Sequence, residues 1–412
     1  MKSDLHFLLK DHSLDAILIT GAAQHNPSMT YLTGRVHLTN ADLFLPRNKD
    51  AVLFCNPMER DEAAKSGLVT KSLAEYPLSE FLKQANGDFL VATVFRYKKM
   101  LEDLGITSGR LAVFGRIDAG SALEIFTRLE ESMPGLEILG EFPDSILMEA
   151  MATKDAEEIT RIRQMGLVTT DVVSLVADYL TSHQVRDEIL IKPDGRSLTI
   201  GDVKRFIRVR LAEREVEDPE GVIFAIGHDA GVPHSSGNPE DVIRLGKTIV
   251  FDIFPCEAGG GYFYDFTRTW CLGYAPDEVM QIYEDVHSVF SQIMGELKID
   301  TPCKPYQERT CELFENRGHP TVRSNPQTLE GYVHGLGHGV GLNIHEYPRF
   351  GINATEKDRL SAGVVVTIEP GLYYPERGIG IRIEDTVCIH PNGKIEILAP
   401  YPYDLVLPMK SA

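Results

Sequence analysis

Residues 332–341 (YVHGLGHGVG) carry glycine at every second position from 335 to 341. In an extended chain, side chains alternate between two faces, so His334, Leu336 and His338 share one face while the other face carries none. Another backbone can therefore approach closely on the bare face. The pattern favours a binding or catalytic site and excludes an H-E-x-x-H zinc helix, because the glycines would destabilise such a helix. A polar glycine loop with locally hydrogen-bonded histidines is the alternative.

A second informative segment is the apolar run at residues 248–254 (TIVFDIF), which predicts a buried strand with Asp252 near its centre. An ionised carboxylate in such a place is costly unless it is paired or binds a metal ion. The alternative is a strand whose Asp252 faces solvent. Glycines 259–261 then predict a hairpin, and the returning strand brings Asp265 beside Thr267 and Arg268, which could hold the carboxylates through hydrogen bonds.

Two further acids accompany apolar segments nearer the C-terminus. Residues 364–368 (VVVTI) predict a strand that ends at Glu369, and strand ends commonly carry functional groups. In residues 380–387 (GIRIEDTV), period-two alternation places Arg382 and Glu384 on one face and two isoleucines towards the core. Taken alone, this second pattern equally fits a half-exposed strand with a surface salt bridge.

Together these segments supply two Asp, two Glu and one or two His in apolar β contexts. An oxygen-rich set with few nitrogens suits Mn²⁺, Co²⁺ or Zn²⁺ in a catalytic site better than a structural zinc. Four carboxylates also balance the charge of two divalent ions. The sequence therefore predicts a site for two divalent metal ions, held by Asp252, Asp265, His338, Glu369 and Glu384.

The composition is that of a folded, acidic protein. Its 412 residues include 41 Lys and Arg against 60 Asp and Glu, a net charge of -19, which disfavours nucleic acids and anionic membranes as partners. No run approaches the roughly 18 apolar residues that a membrane span requires. The six cysteines form no C-x-x-C pair, so we expect reduced, buried thiols and a cytoplasmic protein.

The length predicts two domains. In the first third, short apolar strands alternate with amphipathic helices, which is typical of an α/β domain with a largely parallel sheet. The predicted strands span residues 14–19, 43–45, 51–55, 89–94 and 111–114, and the helices 59–65, 78–84, 97–104 and 121–132. Near residue 150 a long amphipathic helix begins, with Asp155 and Glu158 in a capping-box pattern. We place the boundary here, giving domains of residues 1–153 and 154–412.

The order of these motifs resembles that of the pita-bread metallopeptidases, in particular the Xaa-Pro dipeptidase (prolidase) and Xaa-Pro aminopeptidase branch. The resemblance implies an α/β N-terminal domain of the creatinase type followed by an α+β pita-bread catalytic domain. It rests on Asp252, DFTRT at 265–269, HGLGHGVG at 334–341, EPG at 369–371 and RIED at 382–385, with LDAILI at 14–19 and MTYLTG at 29–34 in the N-terminal domain.

The resemblance implies a role for each predicted ligand. Asp252 would bind one metal ion, His338 and Glu369 the other, and Asp265 and Glu384 both. Manganese is the first expectation for the metal, with cobalt and zinc as alternatives. Homodimer formation is a further expectation from the resemblance.

Substrate contacts are implied in the same way. His334 and His345 fall where the family keeps histidines that contact substrate and stabilise the tetrahedral intermediate. His234 matches a further histidine of the substrate pocket, and Arg382 matches a pocket arginine.

The chain departs from the family pattern at one place. The family's two aspartates usually lie eleven residues apart, whereas Asp252 and Asp265 are thirteen apart. We interpret this as two extra residues around 255–258. An insertion of even length preserves the face on which a strand residue points, so Asp265 stays in the predicted ligand set.

The expected activity is hydrolysis of the Xaa-Pro bond in dipeptides or short proline-containing peptides, by a hydroxide shared between two metal ions. Glu369 would carry the proton to the leaving nitrogen, and His334 or His345 would stabilise the oxyanion. A creatinase-like amidinohydrolase and a non-catalytic peptide-binding member of the fold are the alternatives. Both are expected to have lost metal ligands, and all five are present here.

Overall fold

The computed structural model describes residues 2–142 and 145–410. The chain forms two compact units. The first ends at Met151 and also includes Gly259–Gly261, and the second contains Ala152–Ala258 and the chain from Tyr262 onwards. In the described residues, every helix is too short or too polar to cross a membrane.

The first unit is built on a mixed six-stranded sheet with the order β4-β3-β2-β1-β5-β6. Strand β1 pairs antiparallel with β2 and parallel with β5, while β2–β3 is antiparallel and β3–β4 and β5–β6 are parallel. The strands are β1 (Ala16–Ala22), β2 (Asn40–Pro46), β3 (Val52–Cys55), β4 (Val69–Ser72), β5 (Gly109–Arg116) and β6 (Leu136–Leu139).

Helices accompany this sheet, and one of them corrects the sequence prediction. The helices are α1 (Leu5–Asp11), α2 (Pro27–Thr33), α3 (Arg60–Ala64), α4 (Leu78–Gln84), α5 (Phe89–Leu104), α6 (Ala119–Ser132) and α7 (Ile146–Ala152). The strand predicted at residues 89–94 is wrong, because these residues form the first turns of α5. Asp88 caps that helix by accepting a hydrogen bond from the Val91 N–H, and Gly105 ends it in the left-handed conformation.

The second unit contains two larger sheets, with the orders β10-β11-β13-β21 and β15-β14-β16-β19-β20, and three two-stranded pairs, β7-β8, β9-β12 and β17-β18. The strands are β7 (Gln184–Arg186), β8 (Ile189–Ile191), β9 (Val216–Glu217), β10 (Ile223–Ile226), β11 (Thr248–Ile253), β12 (Cys256–Glu257), β13 (Phe266–Leu272), β14 (Gly337–Gly339), β15 (Glu346–Phe350), β16 (Val365–Ile368), β17 (Gly371–Tyr374), β18 (Ile379–Arg382), β19 (Asp385–Ile389), β20 (Ile395–Ile397) and β21 (Val406–Leu407).

Four α-helices belong to the second unit as described: α8 (Ala156–Thr181), α9 (Ile200–Ala212), α10 (Asp277–Glu296) and α11 (Lys304–Glu315). The apolar faces of α10 and α11 share one core with alternate residues of β16 and β19, such as Val366, Ile368, Val387 and Ile389. Because strand side chains alternate, the intervening residues of these strands point to the opposite face. That opposite face is where the polar side chains described below converge.

The segment predicted as one strand at residues 380–387 is two strands in different sheets. Strand β18 ends at Arg382, β19 begins at Asp385, and Glu384 lies between them. The alternative of a half-exposed surface strand is wrong, because Arg382 and Glu384 are as buried as the neighbouring isoleucines. The six cysteines are buried and free of disulfides, as predicted.

Helix α8 begins with the predicted capping box. The Asp155 carboxylate accepts hydrogen bonds from the N–H groups of Glu157 and Glu158, and the Glu158 carboxylate accepts one from the Asp155 N–H. Three N–H donors at the helix start are thereby satisfied, and acids lie at its positive end.

We expect Asp155→Ala to lower the free energy of unfolding by about 1 kcal/mol, because the cap is lost. Chemical denaturation followed by circular dichroism measures this change. The exposed Glu157→Ala is the matched control and should change stability by less than about 0.5 kcal/mol. Equal losses in the two variants would contradict a specific capping role.

Candidate metal centre

Strands β11 and β13 place the first two acids. Asp252 pairs with Thr267 across the antiparallel ladder, so the two side chains share a face. Asp265 stands two residues before Thr267, which puts its side chain on that same face. In the longer connection, Cys256 and Glu257 pair with strand β9, and the Tyr264 N–H donates to the Pro255 carbonyl. The structure therefore accommodates the thirteen-residue spacing without turning Asp265 away from Asp252.

The other three predicted ligands come from the five-stranded sheet and its edge. His338 lies in β14, Glu369 directly follows β16, and Glu384 directly precedes β19. The Glu384 N–H donates to the Thr267 carbonyl at 3.1 Å, which joins this region to strand β13. Side chains from both larger sheets are thereby brought to one place.

The bare face of the glycine-rich segment is used as the sequence predicted. A side-chain carbon added at Gly337 would lie 2.0 Å from the Thr367 carbonyl oxygen, and one at Gly339 would lie 2.1 Å from the Tyr347 carbonyl oxygen. Only glycine permits these approaches. They let His338 reach the acids while its backbone stays hydrogen-bonded to the Thr367 hydroxyl at 3.0 Å.

The predicted ligands converge. Single ligand atoms of Asp265, His338 and Glu384 all lie within 4.8 Å of one another. The Nε2 atom of His338 is 3.6 Å from Oδ2 of Asp265 and 3.5 Å from Oε1 of Glu369. Asp252 is held beside them by Arg382, whose Nη2 donates to its Oδ2 at 2.6 Å.

The electrostatics of the cluster are those of crowded like charges. Burial, followed by the charges of neighbouring carboxylates, raises the pKa values of Asp265 and Glu384 well above their usual range. Burial raises the pKa of Glu369 to about 7, with the charge of Asp252 adding to it. Burial also lowers the pKa of His338 to about 3, so its imidazole is neutral and able to donate an electron pair to a metal ion.

Two buried carboxylate oxygens support a cation site directly. Among the described residues, Oδ1 of Asp252 and Oδ1 of Asp265 meet no hydrogen-bond donor. A buried carboxylate oxygen without a donor is costly, and a bound cation removes that cost. Four carboxylates and one neutral imidazole match the charge and the ligand preferences of two divalent ions. The donor set therefore fits the predicted metal ions.

The predicted substrate residues differ in how far they are buried. Arg382 is buried, and its guanidinium donates to the Asp252 carboxylate, the Thr267 hydroxyl, the Pro233 carbonyl and the Tyr373 hydroxyl. His234 and His345, in contrast, are exposed. The rings of His345 and His338 have centroids 4.3 Å apart, so His345 lies next to the ligand cluster. His234 is near enough to depress the pKa values of both His345 and His334.

His334 is held in one tautomer by its neighbours. Its Nδ1 lies 2.7 Å from the Gly335 carbonyl oxygen and must donate there, which leaves Nε2 to accept from the Tyr373 hydroxyl at 2.9 Å. Arg382 donates to the oxygen of the same hydroxyl at 2.8 Å, so the hydroxyl hydrogen is left to point towards Nε2 of His334. Burial lowers the pKa of His334 to about 3, so the ring is neutral. Both ring nitrogens are therefore engaged within the protein.

The sequence profile of metallopeptidase family M24 matches residues 161–391, more than half of the chain. The chain belongs to metallopeptidase family M24. The predicted resemblance to the pita-bread metallopeptidases, and with it the enzyme class, is thereby confirmed.

Individual relatives agree with this assignment. The chain is 29% identical over 250 residues to the Xaa-Pro dipeptidase of Pyrococcus furiosus, a match that covers 61% of this chain and 64% of that protein. It is 25% identical over 395 residues to the Xaa-Pro dipeptidase of Pyrococcus horikoshii, covering 95% of both. The crystal structure of X-Pro aminopeptidase from Thermotoga maritima MSB8 has a TM-score of 0.73 at 22% identity, covering 95% of this chain and 97% of that one. The predicted two-part fold class is confirmed.

Several residues of this M24 chain that support the site were missed by sequence reasoning. The Thr367 hydroxyl accepts from the His338 N–H and lies 3.4 Å from the Glu369 carboxylate. Thr367 stands two residues before Glu369 in an apolar strand, so period-two alternation could have indicated it. Tyr373 joins His334 to Arg382, and Gln307 accepts from the Leu336 N–H, but neither carries a local sequence signal.

We expect Gly337→Ala to displace His338 or Thr367, because the added carbon would overlap a backbone oxygen. The free energy of unfolding should fall by about 1–3 kcal/mol, as for other overpacked sites, and metal binding should weaken. Denaturation and isothermal calorimetry measure the two effects. Gly351→Ala, where an added carbon meets no described atom within 4 Å, is the control and should behave like the wild type. A fully stable Gly337→Ala protein with unchanged metal affinity would contradict the close approach.

Proposed function

We propose that this chain is a dinuclear-metal peptidase that hydrolyses the Xaa-Pro bond at the N-terminus of dipeptides or short peptides. The observation that carries the proposal is the convergence of four carboxylates and one neutral imidazole beside two exposed histidines. The names of the relatives, Xaa-Pro dipeptidase and X-Pro aminopeptidase, support the choice of substrate class.

Asp252 would hold one metal ion, His338 and Glu369 the other, and Asp265 and Glu384 both. When bound, two such ions lower the pKa of water towards neutrality and polarise the scissile carbonyl. Manganese is our first choice for both ions, with cobalt or zinc as alternatives. Hydroxyl groups hold the carboxylates in place, since Thr267 donates to Glu384 at 2.6 Å and Thr367 lies against Glu369.

Glu369 is the proposed proton carrier. Its side chain is 16% exposed, whereas that of Asp265 is 7% exposed, so Glu369 is the more accessible of the two. Its carboxylate would accept the proton of the attacking water and deliver it to the departing prolyl nitrogen. Cleavage needs this second step, because an amide nitrogen must be protonated before it can leave, here as the secondary amine of proline.

His345 is the better placed of the two catalytic histidine candidates to stabilise the oxyanion. Its ring lies beside that of His338. Partial burial, together with the charges of His234 and Arg349, lowers its pKa, so the imidazole is neutral and can donate a hydrogen bond. His334 has both nitrogens engaged by Gly335 and Tyr373. We therefore assign oxyanion stabilisation to His345 and substrate positioning to His334.

Substrate selection is assigned to the surroundings of these histidines. His234, the second exposed histidine, would contact the substrate carboxylate or backbone. Arg382, our other predicted substrate residue, is fully engaged by protein atoms, so we propose that it orients the substrate through Asp252 and Tyr373. Family membership supports a homodimer, and the six free thiols support a reducing cytoplasmic setting.

Metal removal tests the proposal. Treatment with a chelator should abolish hydrolysis of Ala-Pro and Ala-Pro-Ala, and added Mn²⁺ or Co²⁺ should restore it. Turnover is measured by release of free alanine. Cleavage of only the dipeptide identifies a dipeptidase, and cleavage of both an aminopeptidase. Failure to cleave either peptide with both metals supplied would contradict the proposal, and hydrolysis of creatine would favour the amidinohydrolase alternative.

Among the ligand assignments, that of Asp265 needs the most direct test, because Asp265 follows the connection that is two residues longer than in the family pattern. We expect Asp265→Ala to reduce turnover below detection and to lower the number of metal ions bound per chain, since this carboxylate would touch both. Metal content is measured by mass spectrometry after gel filtration. Asp171→Ala, which removes a carboxylate paired with Arg214, is the control and should keep full activity. Retained turnover in Asp265→Ala would remove this residue from the site.

A further inference from the structure

A buried ion pair lies outside the ligand cluster. Nζ of Lys154 is 2.8 Å from Oε2 of Glu346, and the two side chains are only 2% and 0% exposed. Burying two charges is costly, and the attraction between them often no more than offsets that cost, so such a pair is poor evidence for stability. A role in holding neighbouring residues in place therefore explains this ion pair better than a contribution to stability does.

The Glu346 carboxylate also fixes the turn that precedes it. Its Oε1 accepts from the main-chain N–H of Asn343 at 3.0 Å and from the Asn343 side-chain amide at 3.3 Å. The Gly341 N–H in turn donates to the Asn343 carbonyl. A side-chain carbon at Gly341 would lie 2.2 Å from Oε2 of Glu346, so the carboxylate fills the space that glycine leaves open. The turn at residues 341–346 is thus wrapped around this one side chain.

Lys154 is itself anchored. Its N–H donates to the Gly363 carbonyl at 2.8 Å, just before strand β16, which Glu369 directly follows. The Val340 N–H donates to Val365 in the same strand. The ammonium of Lys154 therefore connects the turn to the segment that leads into the ligand-bearing strand.

We propose that the Lys154–Glu346 pair is a positioning device that holds His345 beside the metal ligands. His345 is bonded directly to Glu346 through the peptide link, and its exposed ring lies against His338. Glu346 is fully buried and engaged by Lys154 and Asn343, so neither member of the pair touches substrate. The inference rests on the proposed function, in which His345 stabilises the oxyanion.

The double variant Lys154→Met/Glu346→Gln tests the device, because it removes both charges together and leaves no buried charge unpaired. We expect kcat for the Xaa-Pro peptide to fall by about 10–100-fold, as for other residues that orient a reactive group. KM and metal affinity should stay within about threefold of the wild type. In chelator-treated protein, amide hydrogen exchange at residues 341–346 should be faster.

Two further variants keep the test decisive. Gly341→Ala displaces the same carboxylate without changing its charge and should reproduce the loss of kcat and the faster exchange. Lys192→Met/Asp202→Asn removes a half-buried ion pair of the same unit and should leave kcat and exchange at 341–346 unchanged.

A double-mutant cycle asks whether the pair acts through His345. His345→Asn should lower kcat, and adding Lys154→Met/Glu346→Gln to it should lower kcat less than about twofold further, because coupled residues are not additive. Losses that multiply, or an unchanged kcat in His345→Asn, would overturn the proposal. If the wild type cleaves no Xaa-Pro peptide, the proposed function fails, whereas unchanged exchange at 341–346 in the double variant overturns the pair alone.

Discussion

Mutual repulsion among four crowded carboxylates, three of them buried, is the constraint on which the rest of this site depends. Burial raises the pKa values of Asp265, Glu369 and Glu384, and the charges of neighbouring carboxylates, among them Asp252, add to the shift. Two oxygens of the cluster meet no donor in the described structure. Such an arrangement is unfavourable by itself and becomes favourable when cations lie among the acids. The fold must therefore hold the acids together rigidly enough that cation binding, and not rearrangement, relieves the repulsion.

That rigidity comes from side chains that each form hydrogen bonds with two partners in the site. The Thr267 hydroxyl donates to Glu384 and accepts from Arg382, and Arg382 in turn donates to Asp252. The glycine-rich segment contributes in a different way, by bringing backbone oxygens within reach of Gly337 and Gly339. Hydroxyls and backbone groups thus orient the acids without adding further negative charge to the cluster.

Residue spacing in the sequence predicted those helices and strands that are determined by neighbouring residues. The cap at Asp155 and the strands that carry Asp252 and Glu369 follow from residue spacing alone. Residues 89–94 were assigned to a strand because a short apolar run fits both a strand and a helix, and the cap at Asp88 decided for the helix. Arg382 and Glu384 looked like one half-exposed strand, since a sequence does not reveal that the chain passes from one sheet to another between them. Tyr373 and the Lys154–Glu346 pair depend on contacts distant in sequence and left no local signal.

Anomalous diffraction from Mn²⁺-soaked crystals tests most directly whether these five side chains hold two metal ions. We predict two anomalous peaks in the second unit, with Asp265 and Glu384 bonded to both ions, Asp252 to one, and His338 and Glu369 to the other. A single peak, or two peaks that leave Asp252 or Asp265 without a metal contact, would contradict the account.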